Sequence, residues 1–158
     1  MATANHLGSD LSVSSRRLPR PVAVQSVQVH ANVADLVAET ARLSPESIAL
    51  SLGADTMTFR ELAAQSARLA TYLISLGARP DVPIALCLER SFDFIVSALA
   101  ALTSGAAYLP LDPAWPAARL QTILEDAQAP LVISRGSLTR RATANGTRSI
   151  DLRGVRCD

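Results

Sequence analysis

The feature that most constrains the fold is an alternation of short apolar segments with longer amphipathic segments from residue 48 onward. Short apolar segments bounded by turn-forming residues predict strands, whereas apolar residues three or four positions apart predict helices. Strands that alternate with helices favour a parallel sheet, because each helix returns the chain to the end where the next strand begins. The order therefore predicts an α/β fold, and the short connections predict that consecutive strands are neighbours in the sheet.

The first two predicted strands, residues 48–52 and 57–59, are expected to pair as a hairpin across the turn at 53–55. A helix is expected to precede them, because Asn32 is suited to accept hydrogen bonds from the first free amides of a helix. The predicted apolar face of that helix is Val33, Leu36, Val37, Thr40 and Ala41. The remaining strands are predicted at 82–88, 106–109, 131–133 and 148–152.

The segment after the hairpin has the clearest helix pattern. Thr58 and Glu61 have the spacing of a capping box, in which the hydroxyl accepts a hydrogen bond from a free amide and the carboxylate reaches back. Gly77 stands where a left-handed residue is favoured after the last turn. The predicted apolar face is Leu62, Leu69, Tyr72, Leu73 and Leu76.

Two further helices have comparable start and stop signals. Ser91 is suited to cap a helix that ends at Gly105, and Pro116 is expected at the first position of another. Together these elements predict a partial parallel, Rossmann-like sheet with flanking helices.

The charge composition excludes several classes of protein. The chain has 158 residues, with 15 basic and 14 acidic side chains and a net charge of +1. This balance argues against nucleic acid as a partner. Every basic residue is an arginine, so a Walker-type phosphate loop and a Schiff base are excluded from this chain, because both use a lysine. No apolar stretch is long enough to cross a bilayer, so no membrane partner is expected.

The first 30 residues lack the periodic pattern of the rest. They contain Arg16, Arg17, Arg20 and several serines, but not the apolar core of a secretion signal. We interpret residues 1–30 as a flexible leader and residues 31–158 as the folded part, and we expect a cytoplasmic protein.

Residue chemistry alone predicts no catalytic or metal site. His6 and His30 have no partners at ligand spacing. Cys87 and Cys157 are too far apart in sequence for a zinc motif and too few for a disulfide framework. The segment at 103–105 looks like part of a phosphate loop, but it closes a predicted helix, so its amides would face away from an anion.

Two features that follow predicted strands have open alternatives. Glu89 and Arg90 are either a surface pair or the lining of a cleft at the carboxyl end of their strand. Trp115, between Pro113 and Pro116, is either a packing anchor for its loop or a stacking surface for a ligand.

Three stretches resemble motifs of nonribosomal peptide synthetase adenylation domains, which belong to the adenylate-forming superfamily. Residues 57–62 resemble the first core motif, typically Leu-Thr-Tyr-x-Glu-Leu, and residues 82–91 resemble a buried strand that ends in Glu-Arg-Ser. Residues 102–113 resemble the second core motif, Leu-Lys-Ala-Gly-x-Ala-Tyr-x-Pro-Leu-Asp-Pro. The resemblance covers residues 33–134 and implies the N-terminal subdomain of an adenylate-forming enzyme.

This sequence departs from the family pattern at a few positions. Phe59 replaces a tyrosine, Thr103 and Ser104 replace Lys-Ala, and Trp115 replaces a more usual tyrosine or histidine. The resemblance implies structural roles for the core-motif residues, and no catalytic, cofactor-binding or metal-binding residue is carried over. The structural residues are Thr58, Glu61, Leu62, Glu89, Arg90, Gly105, Tyr108, Pro110, Asp112, Pro113 and Arg119.

The functional groups of the family lie beyond the second core motif, and the resemblance is expected to end at Ser134. We therefore expect residues 31–158 to be a truncated N-terminal part of an AMP-binding adenylation domain, inactive alone and without a bound cofactor. The resemblance implies that an intact domain uses ATP and Mg²⁺ to activate an amino acid as its aminoacyl-adenylate. The product then passes to the phosphopantetheine thiol of a carrier protein.

Two alternatives stay open at this point. The chain could be a non-catalytic binding or assembly module that completes a split synthetase, with the remainder of the domain or a carrier protein as its partner. It could instead be a fragment of an acyl-CoA ligase. The segment Tyr-Leu-Pro-Leu-Asp-Pro at 108–113 favours the amino-acid-activating branch over the acyl-CoA branch.

Overall fold

The computed structural model describes residues 32–136 and 146–154, so the leader predicted at 1–30 lies outside the described residues. Helices and strands alternate as the sequence predicts. In chain order they are α1 (Val33–Leu43), β1 (Ile48–Leu52), β2 (Asp55–Thr58), α2 (Phe59–Ser75), β3 (Pro83–Cys87), α3 (Phe92–Thr103), β4 (Ala107–Leu111), α4 (Ala117–Asp126), β5 (Leu131–Ser134) and β6 (Arg148–Asp151).

A four-stranded parallel sheet in the order β4-β3-β5-β6 forms the centre of the described fold. In this sheet Ile84 lies opposite Tyr108 on one side and Leu131 on the other. The α/β class and the parallel sheet are confirmed. The expectation that consecutive strands are neighbours is wrong for β4 and β5, which lie on opposite sides of β3. The sequence of the segment between β4 and β5 predicts a helix, but it does not show on which side of β4 the next strand joins the sheet.

The predicted hairpin forms, but as a separate two-stranded antiparallel sheet rather than as part of the parallel sheet. Its turn is shorter than predicted, because Gly53 adopts a left-handed φ of 63° and Asp55 already pairs with Leu52. The hairpin contacts α2 and leaves Ile48 and Leu52 exposed.

Helices cover both faces of the parallel sheet. On one face Ile84, Leu86 and Ile133 share a core with residues of α2 and α3. On the other face Ala85 and Val132 pack with Leu120 of α4. Because β3 and β5 are buried on both faces, the strands are apolar along nearly their whole length.

The helix ends follow the predicted capping residues. The Glu61 carboxylate accepts a hydrogen bond from the Thr58 amide at 2.8 Å, and the Glu61 amide donates to the Thr58 hydroxyl at 3.3 Å. Gly77 and Gly105 both adopt left-handed φ values, of 97° and 84°. Pro116 is the N-cap of α4 rather than its first residue, so that prediction is wrong by one position.

The predicted apolar faces of α1 and α2 are correct only in part. Leu62, Leu69 and Leu73 are buried as expected, but Tyr72 is 38% exposed. On α1, Val33 and Leu36 are exposed and the buried residue is Ala34. A periodic pattern fixes the apolar side of a helix only approximately, and contacts with α2 and α3 decide which residues are covered. Within the described ranges, no helix is both long and apolar enough to cross a membrane.

Candidate binding cleft

The sheet order creates a crevice between the carboxyl ends of β3 and β4. The chain leaves β3 into α3 on one face of the sheet and leaves β4 into α4 on the other. In the order β4-β3-β5-β6 the strand order reverses between β3 and β5, which is the topological switch point of the sheet. The segments after β3 and β4 leave toward opposite faces and leave an opening beside it, at the carboxyl edge where open α/β sheets bind ligands.

A cleft of about 750 Å³ occupies this opening. The segment 88–90 after β3 forms one wall, and the segment 110–115 at the end of β4 forms the other. Five of the predicted core-motif residues line this cleft. Pro110 belongs to β4, and the other four lie in the segments after β3 and β4: Glu89, Arg90, Asp112 and Pro113.

The wall after β4 is shaped by a turn centred on Asp112. Its carboxylate accepts a hydrogen bond from the Ala114 amide at 2.8 Å, and its carbonyl accepts one from the Trp115 amide at 3.1 Å. Pro110 lies within β4, which is an edge strand among the described strands, so the missing amide hydrogen is tolerated. The turn then delivers the chain to Pro116 and the start of α4.

Trp115 and Arg119 form a stacked pair beside the cleft. The guanidinium carbon of Arg119 lies 4.3 Å from the centre of the Trp115 ring, within cation–π range. The half-buried ring also packs against the core beneath α4. Trp115 is therefore an anchor for its loop, and it also contributes surface to the cleft, so the two interpretations of this residue are compatible.

The wall after β3 carries two exposed charges. Glu89 and Arg90 form no ion pair with each other or with any other residue in the ranges 32–136 and 146–154. The segment is held by Ser91, whose hydroxyl donates to the Glu89 carbonyl at 3.1 Å and accepts from the Phe94 amide at 3.4 Å. Of the two alternatives for Glu89 and Arg90, the structure supports the cleft lining.

The same carboxyl edge carries ionic contacts that the sequence analysis missed. Arg135, after β5, pairs with Asp93 in the first turn of α3. Asp151, at the end of β6, accepts hydrogen bonds from the Arg153 amide at 3.0 Å and the Gly136 amide at 3.1 Å. These amides, that of Arg153 first, hold the pKa of Asp151 below its ordinary value. Apart from Asp93, these residues lie at or just after the end of a strand, and that position in the sequence is the signal that could have identified them.

The other predicted core-motif residues lie away from the cleft. Thr58, Glu61 and Leu62 begin α2, and hydrogen bonds from the Thr58 amide and hydroxyl lower the pKa of Glu61. Gly105 ends α3, and Tyr108 lies on β4 with 40% of its surface exposed. These positions are compatible with the structural roles that the resemblance implies.

Among the described residues, no group of three or more histidine, cysteine, aspartate or glutamate residues is placed to hold a metal ion. Cys87 is fully buried in the core beneath α4, and His6, His30 and Cys157 lie outside the described residues. The cleft itself offers two carboxylates, one guanidinium group and an aromatic surface.

A parallel sheet with helices on both faces and a cleft at the carboxyl ends of its strands defines an α/β subdomain of the doubly wound class. The chain belongs to the AMP-binding enzyme family, which matches residues 37–155. That match corrects the expectation that the resemblance ends at Ser134, because it continues through β6.

Within this family, the chain is similar to proteins that make peptides. The chain is 36% identical over 121 residues to the phosphinothricin tripeptide synthetase PhsC of Streptomyces viridochromogenes, covering 77% of this chain and 11% of that protein. It matches the nonribosomal peptide synthetase FmoA3 with a TM-score of 0.72 and 26% identity, covering 77% of this chain and 14% of that one. The sequence is thus similar to nonribosomal peptide synthetases.

The same fold occurs outside that group. The O-succinylbenzoate coenzyme A synthetase of Bacillus subtilis matches with a TM-score of 0.68 and 24% identity, over 74% of this chain and 31% of that one. The described fold is therefore the N-terminal subdomain of adenylate-forming enzymes in general. The chain spans between 1% and 11% of the length of the curated relatives it matches.

Proposed function

We propose that this chain supplies the N-terminal subdomain of an adenylation domain that activates an amino acid with ATP. The amino-acid carboxylate would attack the α-phosphate of ATP, pyrophosphate would leave, and the aminoacyl group of the adenylate would pass to a carrier-protein thiol. The observation that carries the proposal is the family match over residues 37–155 together with the similarity to peptide synthetases.

We further propose that the chain alone does not catalyse this reaction. Phosphoryl transfer needs cations and amides aimed at the developing charge, and removal of one such group typically costs several kcal/mol of transition-state stabilisation. This sequence contains no lysine, and its described residues contain no group of three or more histidine, cysteine, aspartate or glutamate residues placed to hold an ion. We expect the groups that bind the triphosphate and Mg²⁺ to belong to a part of the adenylation domain beyond residue 158.

Amino-acid-dependent exchange of labelled pyrophosphate into ATP tests the proposed inactivity of the chain alone. The 158-residue chain should give no exchange above the blank with any of the twenty amino acids, while an intact adenylation domain assayed in parallel should exchange. Exchange by the chain alone would contradict the proposed inactivity. The coding sequence beyond Asp158 supplies the second test, because a stretch rich in Thr, Ser and Gly and ending in Pro-Lys-Gly is expected there.

A second candidate is a non-catalytic module that completes a split synthetase. The favouring observation is the set of large apolar side chains exposed on α1 and β1, among them Leu43 at 77% and Ile48 at 62%. A monomer by light scattering, with no recovery of a synthetase remainder or carrier protein on the immobilised chain, would argue against this candidate. Acyl-CoA ligases share this fold, so the fold does not separate this alternative from an amino-acid-activating domain. The substrate that an intact domain activates would distinguish the two.

A further inference from the structure

An apolar groove lies between β1 and the beginning of α3. It has a volume of about 290 Å³. Its apolar lining comes from Leu50 and Leu52 of β1 and from Phe92, Phe94 and Ile95 of α3. Leu52 is 51% exposed and Ile95 is 36% exposed, so large apolar side chains of the groove are in contact with water. An apolar groove of this kind is typical of a surface that another segment covers.

The groove follows the edge of β1 that does not pair with β2. Leu50, Ser51 and Leu52 all line it. Because successive side chains of a strand point to opposite faces, a groove that touches three consecutive residues runs along the edge rather than over one face. Among the described residues, none from β2 lines the groove, and β2 is the one described strand that pairs with β1. The groove therefore offers an open strand edge together with apolar side chains, which is the arrangement that accepts an added strand.

We propose that residues 22–27 of this chain occupy the groove and add a third strand beside β1. This segment lies outside the described residues. Three of its six residues are β-branched, which favours a strand, and they are Val22, Val24 and Val27. Pro21 stands just before the segment, where the missing amide hydrogen disturbs a strand least. A two-stranded hairpin is marginally stable in water, so a third strand would stabilise β1 and β2.

Charge distinguishes this segment from the residues that precede it. Among the described residues that line the groove, Arg90 is the one that carries a charge. Residues 11–20 contain three arginines, which Arg90 would repel, whereas residues 22–27 contain no charged side chain. The flexible part of the predicted leader would then end at Pro21 rather than at residue 30.

The chain before α1 is long enough to reach the groove. It joins α1 at Asn32, and Ala34 lines a small pocket together with Thr103 at the far end of α3. Ile95, at the groove, precedes Thr103 by eight residues, which is about 12 Å along a helix that rises about 1.5 Å per residue. Residues 28–31 span about 13 Å when extended. The residues before this linker can therefore lie along β1.

Ile74 of α2 supplies a matched control for the groove. It is 54% exposed, close to the exposure of Leu52, but it does not line the groove. Leu52→Lys adds a second positive charge to the groove and should exclude the apolar segment. Ile74→Lys makes an equivalent change elsewhere on the surface. Because both side chains are already half in water, neither replacement should prevent folding.

Hydrogen exchange of the full chain, measured on its peptides by mass spectrometry, tests the proposal. After correction for intrinsic rates, residues 22–27 should exchange at least about tenfold more slowly than residues 2–15, because an amide bonded to β1 exchanges only when the strand opens. Leu52→Lys should remove this slowing, and Ile74→Lys should retain it. Equal rates for the two segments in the unsubstituted chain, or slowing that survives Leu52→Lys, would overturn the proposal.

A dilution series followed by light scattering separates this occupant from a second copy of the chain. A segment docked on its own chain should keep its slow exchange in the monomer. Slow exchange confined to concentrations at which a dimer forms would assign the groove to an intermolecular contact and overturn the proposal. Slow exchange of β1 without slow exchange of residues 22–27 would assign the groove to another occupant and would also overturn it.

Discussion

Truncation of Leu120 should loosen α4 and with it one wall of the cleft. Leu120 is fully buried, and Leu120 and Leu124 are the two buried residues of α4. Leu120→Ala removes three carbon atoms from the core, which corresponds to about 2.4 kcal/mol at roughly 0.8 kcal/mol per methylene. Incomplete collapse around the cavity raises the expected loss of unfolding free energy to about 3 kcal/mol.

Urea titration with two probes measures this loss and locates it. Trp115 is the only tryptophan of the chain and stands just before α4, so its fluorescence reports on the cleft. Far-UV circular dichroism reports on all helices together. With a denaturant dependence of about 2 kcal/mol per molar, the midpoint should fall by about 1.5 M by both probes.

Leu43→Ala is the matched control, because Leu43 is 77% exposed at the end of α1. The same chemical change there should alter the unfolding free energy by less than about 0.5 kcal/mol. If Leu120→Ala shifts the midpoint no more than Leu43→Ala does, the packing of α4 on the sheet is not what the structure shows. The reasoning about the cleft wall would fail with it.

Four further predictions concern local contacts. Thr58→Ala removes the side-chain cap of α2 and should lower the unfolding free energy by about 1 kcal/mol in urea titrations. Glu61 has a pKa lowered by Thr58, so its stabilising contribution is present above its unfolded pKa and is lost as the pH falls through the lower folded pKa. Glu61→Gln should therefore lose less stability than the wild type on acidification below about pH 4.5, and an equal loss would contradict this linkage. Gly105→Ala should lower Tm because alanine is strained at a φ of 84°, whereas an unchanged Tm would mean that the loop relaxes. Arg119→Ala should change the emission of Trp115 by uncovering the indole ring, and an unchanged spectrum would argue against the stacked pair.

Local features of this fold were predictable from the sequence because they depend on neighbours in the chain. The capping box at Thr58 and Glu61 is such a case, since all of its hydrogen bonds join residues three positions apart. The left-handed glycines at Gly77 and Gly105 follow from the same kind of local rule. The extents of α2 and β3 were therefore close to those of the structure.

The burial of individual side chains was less predictable, because it depends on which other helices and strands pack against them. The α1 helix shows this clearly, since Val33 and Leu36 belong to its apolar face yet remain exposed. The helix contacts the core through Ala34 and the partly buried Val37, at the pocket that Ser66 and Thr103 also line. The periodicity of α1 alone does not predict where α2 and α3 pack against it.

The site was predictable only as separate pieces. Glu89 and Arg90 follow one predicted strand and Asp112 follows another, so each could be assigned to a carboxyl end of a strand. Whether the two ends face a common cleft depends on the connection from β4 to β5. Had that connection run in the same direction as the one from β3 to β4, α3 and α4 would lie on the same face. The segments after β3 and β4 would then leave toward the same face, without the opening that forms the cleft.

The apolar pattern of β3 indicates that this strand lies in the interior of the sheet. Residues 84–87 are apolar without alternation, which predicts a strand covered on both faces. If α2 and α3 lie on one face, the other face of β3 can be covered only by α4 among the described helices, as Ala85 and Cys87 beneath Leu120 show. Right-handed crossovers place successive helices on opposite faces only when the direction of travel reverses. An apolar β3 followed by two crossovers therefore requires β3 in the interior of the sheet, and with it the cleft that Glu89, Arg90 and Asp112 share.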